Sequence, residues 1–191
     1  SVFMFISGIN FTLLLLFVNR KFKKVIDNAE LKWYFWSVAG FTAIIAVVLY
    51  YTSPMGAEEA FRKSLFQVIS LHTSTGFATD DYMLWTPVLW GLLTIVMVIG
   101  ACAGSTGGGI KVSRVIVLFK TMIKELHSYI HPKSIRKVNL DGKPVEHEIV
   151  RSINVYIVTF VIIFASSVFM VAFDGKDLVT NFTAVLTTIN N

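Results

Sequence analysis

Small hydroxyl residues and one glycine follow a half-length apolar segment near the middle of the chain. Residues 71–81 read LHTSTGFATDD, and the apolar segment before them, residues 64–71, is far too short to cross a bilayer. Non-helical backbone is tolerated at membrane depth only where protein buries it or where it lines a water-filled cavity. The carbonyl groups of such a loop can replace the hydration shell of a cation. The stretch therefore predicts a re-entrant pore loop.

The cation ligands of this loop are expected on its backbone. Potassium filters carry a Thr-Val-Gly-Tyr-Gly carbonyl ring, which the stretch from Ser74 to Phe77 resembles. We predict a filter formed by Thr73, Ser74, Thr75, Gly76 and Phe77, with K⁺ held by the carbonyls of Thr75 and Gly76. Glycine permits the backbone dihedral angles that this arrangement requires. The alternative is an ordinary polar turn outside the membrane.

Acidic residues lie on both sides of the predicted filter. Asp80 and Asp81 follow it and would raise the local cation concentration at an outer mouth, or else belong to a solvated turn. Glu58 and Glu59 begin a short helix that we predict over residues 57–72. The negative end of its dipole would face the filter and stabilise a cation there.

A second glycine-rich stretch interrupts the next apolar span. Five glycines in ten residues cannot continue as a stable helix, so we predict a helix over residues 83–126 that is broken by a loop. Little side-chain packing is expected to hold this loop, which leaves it free to move and to gate a pore. The predicted gating loop consists of Gly100, Ala101, Cys102, Ala103, Gly104, Ser105, Thr106, Gly107, Gly108 and Gly109.

Other chemistry is poorly supported by the spacing of residues. A nucleotide-binding P-loop would need Lys directly after its last glycine, but Ile110 intervenes before Lys111. No nucleophile and base are spaced as a catalytic pair, so the chain is predicted not to be an enzyme. Cys102 is the single cysteine, which excludes an intramolecular disulfide and is typical of a small core residue.

Composition places the chain in a membrane. Apolar residues make up 54% and charged residues 15%, against about 25% charged in soluble domains. Four apolar stretches approach the length of a span, over residues 2–18, 33–51, 83–103 and 153–173. Aromatic residues lie in these spans and not among the basic clusters, so nucleic-acid binding is not expected.

The loops between the spans alternate in charge. Residues 19–32 and 111–151 are basic, whereas residues 52–82 are acidic. By the positive-inside rule the two basic segments are cytoplasmic, in a multi-pass protein of the plasma (inner) membrane. Within the second basic segment, Asp-Gly between short alternating runs predicts a cytoplasmic β-hairpin over residues 131–147.

Taken together, the filter stretch and the stretch Gly104-Ser-Thr-Gly-Gly-Gly-Ile-Lys111 resemble the TrkH/KtrB/HKT superfamily of potassium transporters. The resemblance covers the whole chain. It implies an all-α membrane protein of repeated helix–pore-loop–helix units, with K⁺ as the transported ion and no covalent cofactor. It also implies a homodimer in the lipid membrane and a cytosolic TrkA-like nucleotide-binding regulatory subunit, docked near residues 111–145.

By this resemblance the chain is an internal part of a four-repeat protein. Residues 1–32 would be the end of the second pore-loop repeat and a cytoplasmic connector, and residues 148–191 the first part of the fourth repeat. The third repeat, residues 33–130, is expected to contain a helix over 33–52, a pore helix over 57–72, the filter over 73–77 and the broken helix over 83–126. The alternatives are a secondary transporter that binds a solute at the broken helix and a structural membrane subunit without a pathway.

Overall fold

The structure, a computed structural model, describes residues 1–131, 138–140 and 143–190. These residues are mostly helical. They form two compact units, one of Ser1–Val112 with Asn190 and the other of Ser113–Ile189.

The first unit contains short helices at its start, two long helices and the glycine-rich stretch. Its helices are α1 (Val2–Ser7), α2 (Phe11–Val18), α3 (Phe22–Ile26), α4 (Ala29–Thr52), α5 (Ala57–His72) and α6 (Pro87–Val98), and its strands are β1 (Ile99–Gly100) and β2 (Ile110–Lys111). A 3₁₀ turn, Tyr82–Leu84, precedes α6.

Helices α4 and α5 pack together and form the core of this unit. Asn28 begins α4 because its side chain accepts a hydrogen bond from the backbone N–H of Leu31, so the helix starts before residue 33. One face of α4 is buried, at helical spacing, by Glu30, Tyr34, Val38, Thr42, Ile45 and Leu49. Helix α5 starts at Ala57 and carries Glu58 and Glu59 in its first turn.

The apolar stretch over residues 2–18 is not one helix, contrary to the prediction. Gly8 ends α1, and the Asn10 side chain caps α2 by accepting from the N–H of Thr12 at 2.8 Å. A Cβ at Gly8 would lie 2.3 Å from the hydroxyl of Tyr34, so only glycine fits there. Hydropathy alone did not reveal this break because the residues on both sides of it are apolar.

The predicted broken helix is also shorter at its start. Pro87 occupies the first turn of α6, where its missing N–H costs nothing, and the residues before it form the 3₁₀ turn. After α6 the chain leaves the helix, and β1 pairs in parallel with β2, with Ile99 opposite Ile110. Helix α7 (Val112–Ile130) then continues to residue 130.

The second unit contains most of α7, strands β3 (Asn139–Leu140) and β4 (Lys143–Pro144), and helices α8 (His147–Val171) and α9 (Leu178–Ile189). Strands β3 and β4 pair antiparallel where a hairpin was predicted, although its Asp-Gly turn lies outside the described residues. A small core joins Val117, Val138 and Ile153. Whether this hairpin is cytoplasmic stays a prediction.

Among the described residues, two helical segments are long and apolar enough to cross a membrane. They are Ala29–Thr52 and His147–Asp174, while Pro87–Val98 and Leu178–Ile189 are shorter apolar helices. The second long segment has no buried residue in its most apolar window. A helix that is apolar all round is typical of a membrane span.

Candidate functional site

The predicted filter residues lie at the C-terminal end of α5. Thr73 is the C-cap, and its N–H and that of Ser74 still donate to carbonyls of the last helical turn, at 3.0 and 3.2 Å. Thr75 N–H donates to the carbonyl of Ser70 at 3.0 Å. The chain therefore leaves α5 in a hydrogen-bonded turn, next to the C-terminal, negative end of the helix dipole.

Two residues of this segment adopt left-handed backbone conformations. Gly76 has a φ of +72°, and Ser74, which is not glycine, has a φ of +56°. A left-handed conformation costs a non-glycine residue roughly 1–2 kcal/mol, so contacts around Ser74 must compensate for it. No atom lies within 4 Å of a Cβ placed at Gly76, so the backbone angle alone favours glycine there.

The hydroxyl groups of Thr73 and Thr75 face back toward α5. Thr75 Oγ1 donates to the carbonyl of Ser70 at 3.2 Å, and Thr73 Oγ1 donates to that of Ile69 at 2.8 Å. Ser70 Oγ donates to the carbonyl of Phe77 at 2.6 Å, so one carbonyl of the predicted filter is already engaged within the chain.

The remaining carbonyls of the segment are open. In the described part of the chain, no hydrogen bond reaches the carbonyl oxygens of Ser74, Thr75 or Gly76. Gly76 is exposed and Thr75 is half-buried. These three oxygens can therefore serve as cation ligands without breaking a bond within the chain.

A buried polar and aromatic cluster supports the segment from behind. His72 is fully buried, and its Nε2 lies 2.8 Å from Ser37 Oγ. Its ring packs edge-on against Tyr34, whose hydroxyl donates to the carbonyl of Phe5 at 3.2 Å. His72 is thus a packing and hydrogen-bonding partner that supports this segment.

The predicted gating loop lies directly against the predicted filter. Gly108 N–H donates to Ser74 Oγ at 3.1 Å. A Cβ at Gly107 would lie 3.1 Å from the carbonyl oxygen of Thr73, so the two backbones are close. The structure thus brings together two segments that are far apart in the sequence.

Little side-chain packing was expected in this loop, but two of its residues are buried and its backbone groups take part in several hydrogen bonds. Ala101 and Cys102 are fully buried, and Cys102 N–H donates to the carbonyl of Gly8 at 3.1 Å. The carbonyl of Gly104 accepts from the N–H of Phe11 at 3.2 Å.

Further contacts hold the rest of the loop. Ser105 Oγ donates to the carbonyl of Cys102 at 2.6 Å, Thr106 Oγ1 donates to that of Ser7 at 3.4 Å, and Lys111 Nζ donates to that of Gly107. Each of these three bonds has a backbone carbonyl as its acceptor. The small side chains of the loop therefore gave no indication of how many contacts hold it.

The base of the loop is closed by the strand pair. Gly100 lies in β1 and Gly109, with a φ of +74°, precedes β2. A Cβ at Gly100 would lie 2.0 Å from the carbonyl oxygen of Gly108, which no L side chain can tolerate without a backbone shift. Glycine is required at this position because two backbone segments approach closely there, and not because the loop is flexible.

The two outer aspartates differ. Asp80 forms an ion pair with Lys63 at 3.0 Å and accepts from Trp85 Nε1 at 3.4 Å, while Lys63 also pairs with Glu59 at 3.0 Å. Partial burial alone would raise the pKa of the Asp80 carboxyl, but the hydrogen bonds from Lys63 and Trp85 outweigh it and hold the pKa below its ordinary value. Asp81 is exposed. The negative charge of Asp80 is therefore largely compensated.

Two contacts of the site were missed by sequence reasoning. Glu30 Oε1 accepts a hydrogen bond from the N–H of Ala103, which is 73 residues away, and Ser70 binds Phe77 as described. The position of Glu30 in the first turn of an apolar helix could have marked it as a residue of interest. The partner of that acid could not be read from the sequence. Among the described residues, no cluster of His, Cys, Asp or Glu could hold a metal ion.

Comparison with known proteins gives one consistent result. The family model described as "TrkH: Cation transport protein" matches residues 1–191. The chain is 30% identical over 192 residues to the Trk system potassium uptake protein TrkH of Halomonas elongata, and 30% identical over 193 residues to that of Escherichia coli K12. These names describe transport proteins and not enzymes.

A solved structure agrees with the sequence matches. The potassium transporter TrkH from Vibrio parahaemolyticus superposes with a TM-score of 0.91 at 28% identity, over 98% of this chain and 41% of the other. Both curated relatives are matched over 100% of this chain, which spans about 40% of their length. The chain belongs to the TrkH family of cation transport proteins, which are integral membrane proteins.

Proposed function

We propose that the protein containing this chain conducts K⁺ across the plasma (inner) membrane, with residues 73–77 as one strand of its selectivity filter. The relatives are named as potassium uptake proteins or a potassium transporter, and K⁺ is the proposed transported ion. The observation that carries the proposal is the set of open carbonyls at Ser74, Thr75 and Gly76, at the negative end of α5. Carbonyl dipoles at such a position substitute for the water ligands of a cation.

The proposed coordination follows from which oxygens are open. Thr75 and Gly76 supply the main backbone ligands, and Ser74 can extend the site toward the glycine loop. The carbonyl of Phe77 is held by Ser70, so in this conformation its role is to fix the outer end of the strand. Other pore-loop repeats of the full-length protein supply the remaining ligands, because one strand cannot surround an ion.

The segment 100–109 is the proposed gate. It lies directly against the filter through the Gly108–Ser74 hydrogen bond and the close approach of Gly107 to Thr73. Displacement of this loop would open the pathway below the filter. The hydrogen bonds described above set the free energy of that displacement, and each contributes about 1 kcal/mol net.

At the outer mouth, only part of the negative charge that the sequence predicted is available to a cation. Asp80 is paired with Lys63, which largely compensates its negative charge, and Asp81 is exposed. We assign Asp80 the role of fixing the segment after the filter to α5. Asp81 stays a proposed residue of the outer mouth.

The proposed assembly is that implied by the family resemblance. Residues 19–32 and 111–151 face the cytoplasm, and the latter region is where a cytosolic TrkA-like nucleotide-binding subunit would dock. The full-length protein is a homodimer in this proposal. The charge pattern of the loops supports the orientation.

Rubidium flux into liposomes that contain the full-length protein tests this function. Wild-type flux is expected to be inhibited by external K⁺ much more strongly than by Na⁺. Gly76→Ser should reduce this preference, because serine adopts the left-handed angle of Gly76 at a cost of roughly 1–2 kcal/mol and shifts the neighbouring carbonyls. Gly91→Ala, on an open face of α6, is the matched control. Unchanged ion preference in Gly76→Ser would refute the filter assignment.

A further inference from the structure

Glu30 is a buried acid for which the proposed filter and gate provide no role. It lies in the first turn of α4 and is 7% exposed. A carboxylate at such a position is costly to bury unless hydrogen bonds and nearby positive charge compensate for it. The partial positive charge of the helix N-terminus supplies part of this compensation.

The other part comes from the glycine loop. Glu30 Oε1 accepts a hydrogen bond from the backbone N–H of Ala103. Ala103 is next to Cys102, which is fully buried, and close to Gly104, whose carbonyl is bound by Phe11. Hydrogen bonds to a charged acceptor are about twice as strong as neutral ones. In the described part of the chain, no other carboxylate bonds to the backbone of the loop.

From this geometry we propose that Glu30 is a positioning residue that holds the first half of the glycine loop, residues 101–104, in its closed position. Filter contacts hold the second half, at Gly107 and Gly108, and Glu30 acts independently of them. Movement of the loop then requires the Glu30–Ala103 bond to break. The functional meaning of the closed position rests on the proposed gate, whereas the position itself does not.

Cys102 provides a native reporter of this position. It is the single cysteine of the sequence and is buried beside Ala103. In a full-length protein without other cysteines, we would measure the rate at which a small methanethiosulfonate reagent modifies Cys102 in detergent. Glu30→Met retains the volume but not the acceptor, and should increase the rate about ten-fold or more. Glu30→Gln retains a neutral acceptor and should increase it only about two- to five-fold.

Controls and alternative outcomes keep this test decisive. Asp27→Ala removes an exposed acid of the same connector and should leave the rate unchanged. Equal rates for Glu30→Met and wild type, or a Glu30→Gln rate as high as that of Glu30→Met, would overturn the proposal. If Glu30→Met does not fold, a wild-type rate in Glu30→Gln overturns it. Rubidium flux in Glu30→Gln should increase without a change in ion preference, so failure of the filter assignment leaves the modification result intact.

Discussion

Gly100→Ala is the substitution whose consequence follows most directly from the structure. The new Cβ would lie 2.0 Å from the carbonyl oxygen of Gly108, about 1 Å closer than such atoms approach in proteins. It would also lie 3.1 and 3.2 Å from the carbonyl carbons of Gly108 and Gly109. All three atoms belong to the backbone, so no side-chain rotation relieves the overlap. The pairing of β1 with β2 must therefore open.

The magnitude follows from the cost of overpacking. An added methyl group in a packed site typically costs about 1–3 kcal/mol, which corresponds to roughly 5- to 150-fold in the population of the opened loop. The upper part of this range applies here because the backbone must move. Gly91→Ala makes the same chemical change on the same apolar span, where no atom lies within 4 Å of the new Cβ, and should have no such effect.

The assay is the rate of Cys102 modification in the full-length protein, measured together with its thermal unfolding. Gly100→Ala should raise the modification rate by at least about five-fold and lower the melting temperature, whereas Gly91→Ala should match wild type in both. A wild-type modification rate in a folded Gly100→Ala protein would refute the strand pairing as the closure of the loop.

Three further predictions concern contacts of the filter and the outer mouth. Ser74→Ala removes the acceptor of Gly108 N–H and should raise basal Rb⁺ flux about two- to ten-fold, and an unchanged flux would contradict this contact. Asp80→Asn should lower the melting temperature equally at about pH 7.5 and pH 5.5. Because the native pKa is depressed, the contribution of Asp80 to stability is fully present above an ordinary pKa of about 4 and is lost as the pH falls through the lower native pKa. The difference from wild type should therefore shrink only below about pH 4, and a difference that vanishes at pH 5.5 would argue against the pair with Lys63. Gly8→Ala would place a Cβ 2.3 Å from a buried tyrosine hydroxyl and should destabilise the protein by about 1–3 kcal/mol in thermal unfolding, and an unchanged melting temperature would show that the site has more room.

Sequence patterns predicted those features that depend on local composition. Helix α5 begins where Gly56 and two acids follow a proline-containing turn, and ends where small hydroxyl residues replace apolar ones. The interruption after α6 follows from glycine density. In these cases the signal lies within a few residues of the structural feature.

Features made by distant residues were not predictable. The pairing of Ile99 with Ile110 involves two-residue strands, which have no periodicity to detect. The bond from Ala103 to Glu30 joins residues 73 positions apart. Glycine density was taken to indicate flexibility, but at Gly100 the reason for glycine is the close approach of another backbone, which only the fold reveals.

The outer mouth illustrates the same limit for charge. Two adjacent aspartates look equivalent in the sequence, but Asp80 forms an ion pair with Lys63, which lies in the first half of α5. A local charge count therefore overestimates the negative potential available to a cation at this position.

Locating the bound ion tests the assignment of residues 73–77 as a cation filter most directly. Crystals of the full-length protein grown with Rb⁺ would be measured at the rubidium absorption edge to obtain anomalous difference density. A peak is expected between the carbonyl oxygens of Thr75 and Gly76, and it should disappear in Gly76→Ser. A peak only at the carboxylates of Asp80 or Asp81, or only beside the loop over residues 100–109, would contradict the assignment of residues 73–77 as a cation filter.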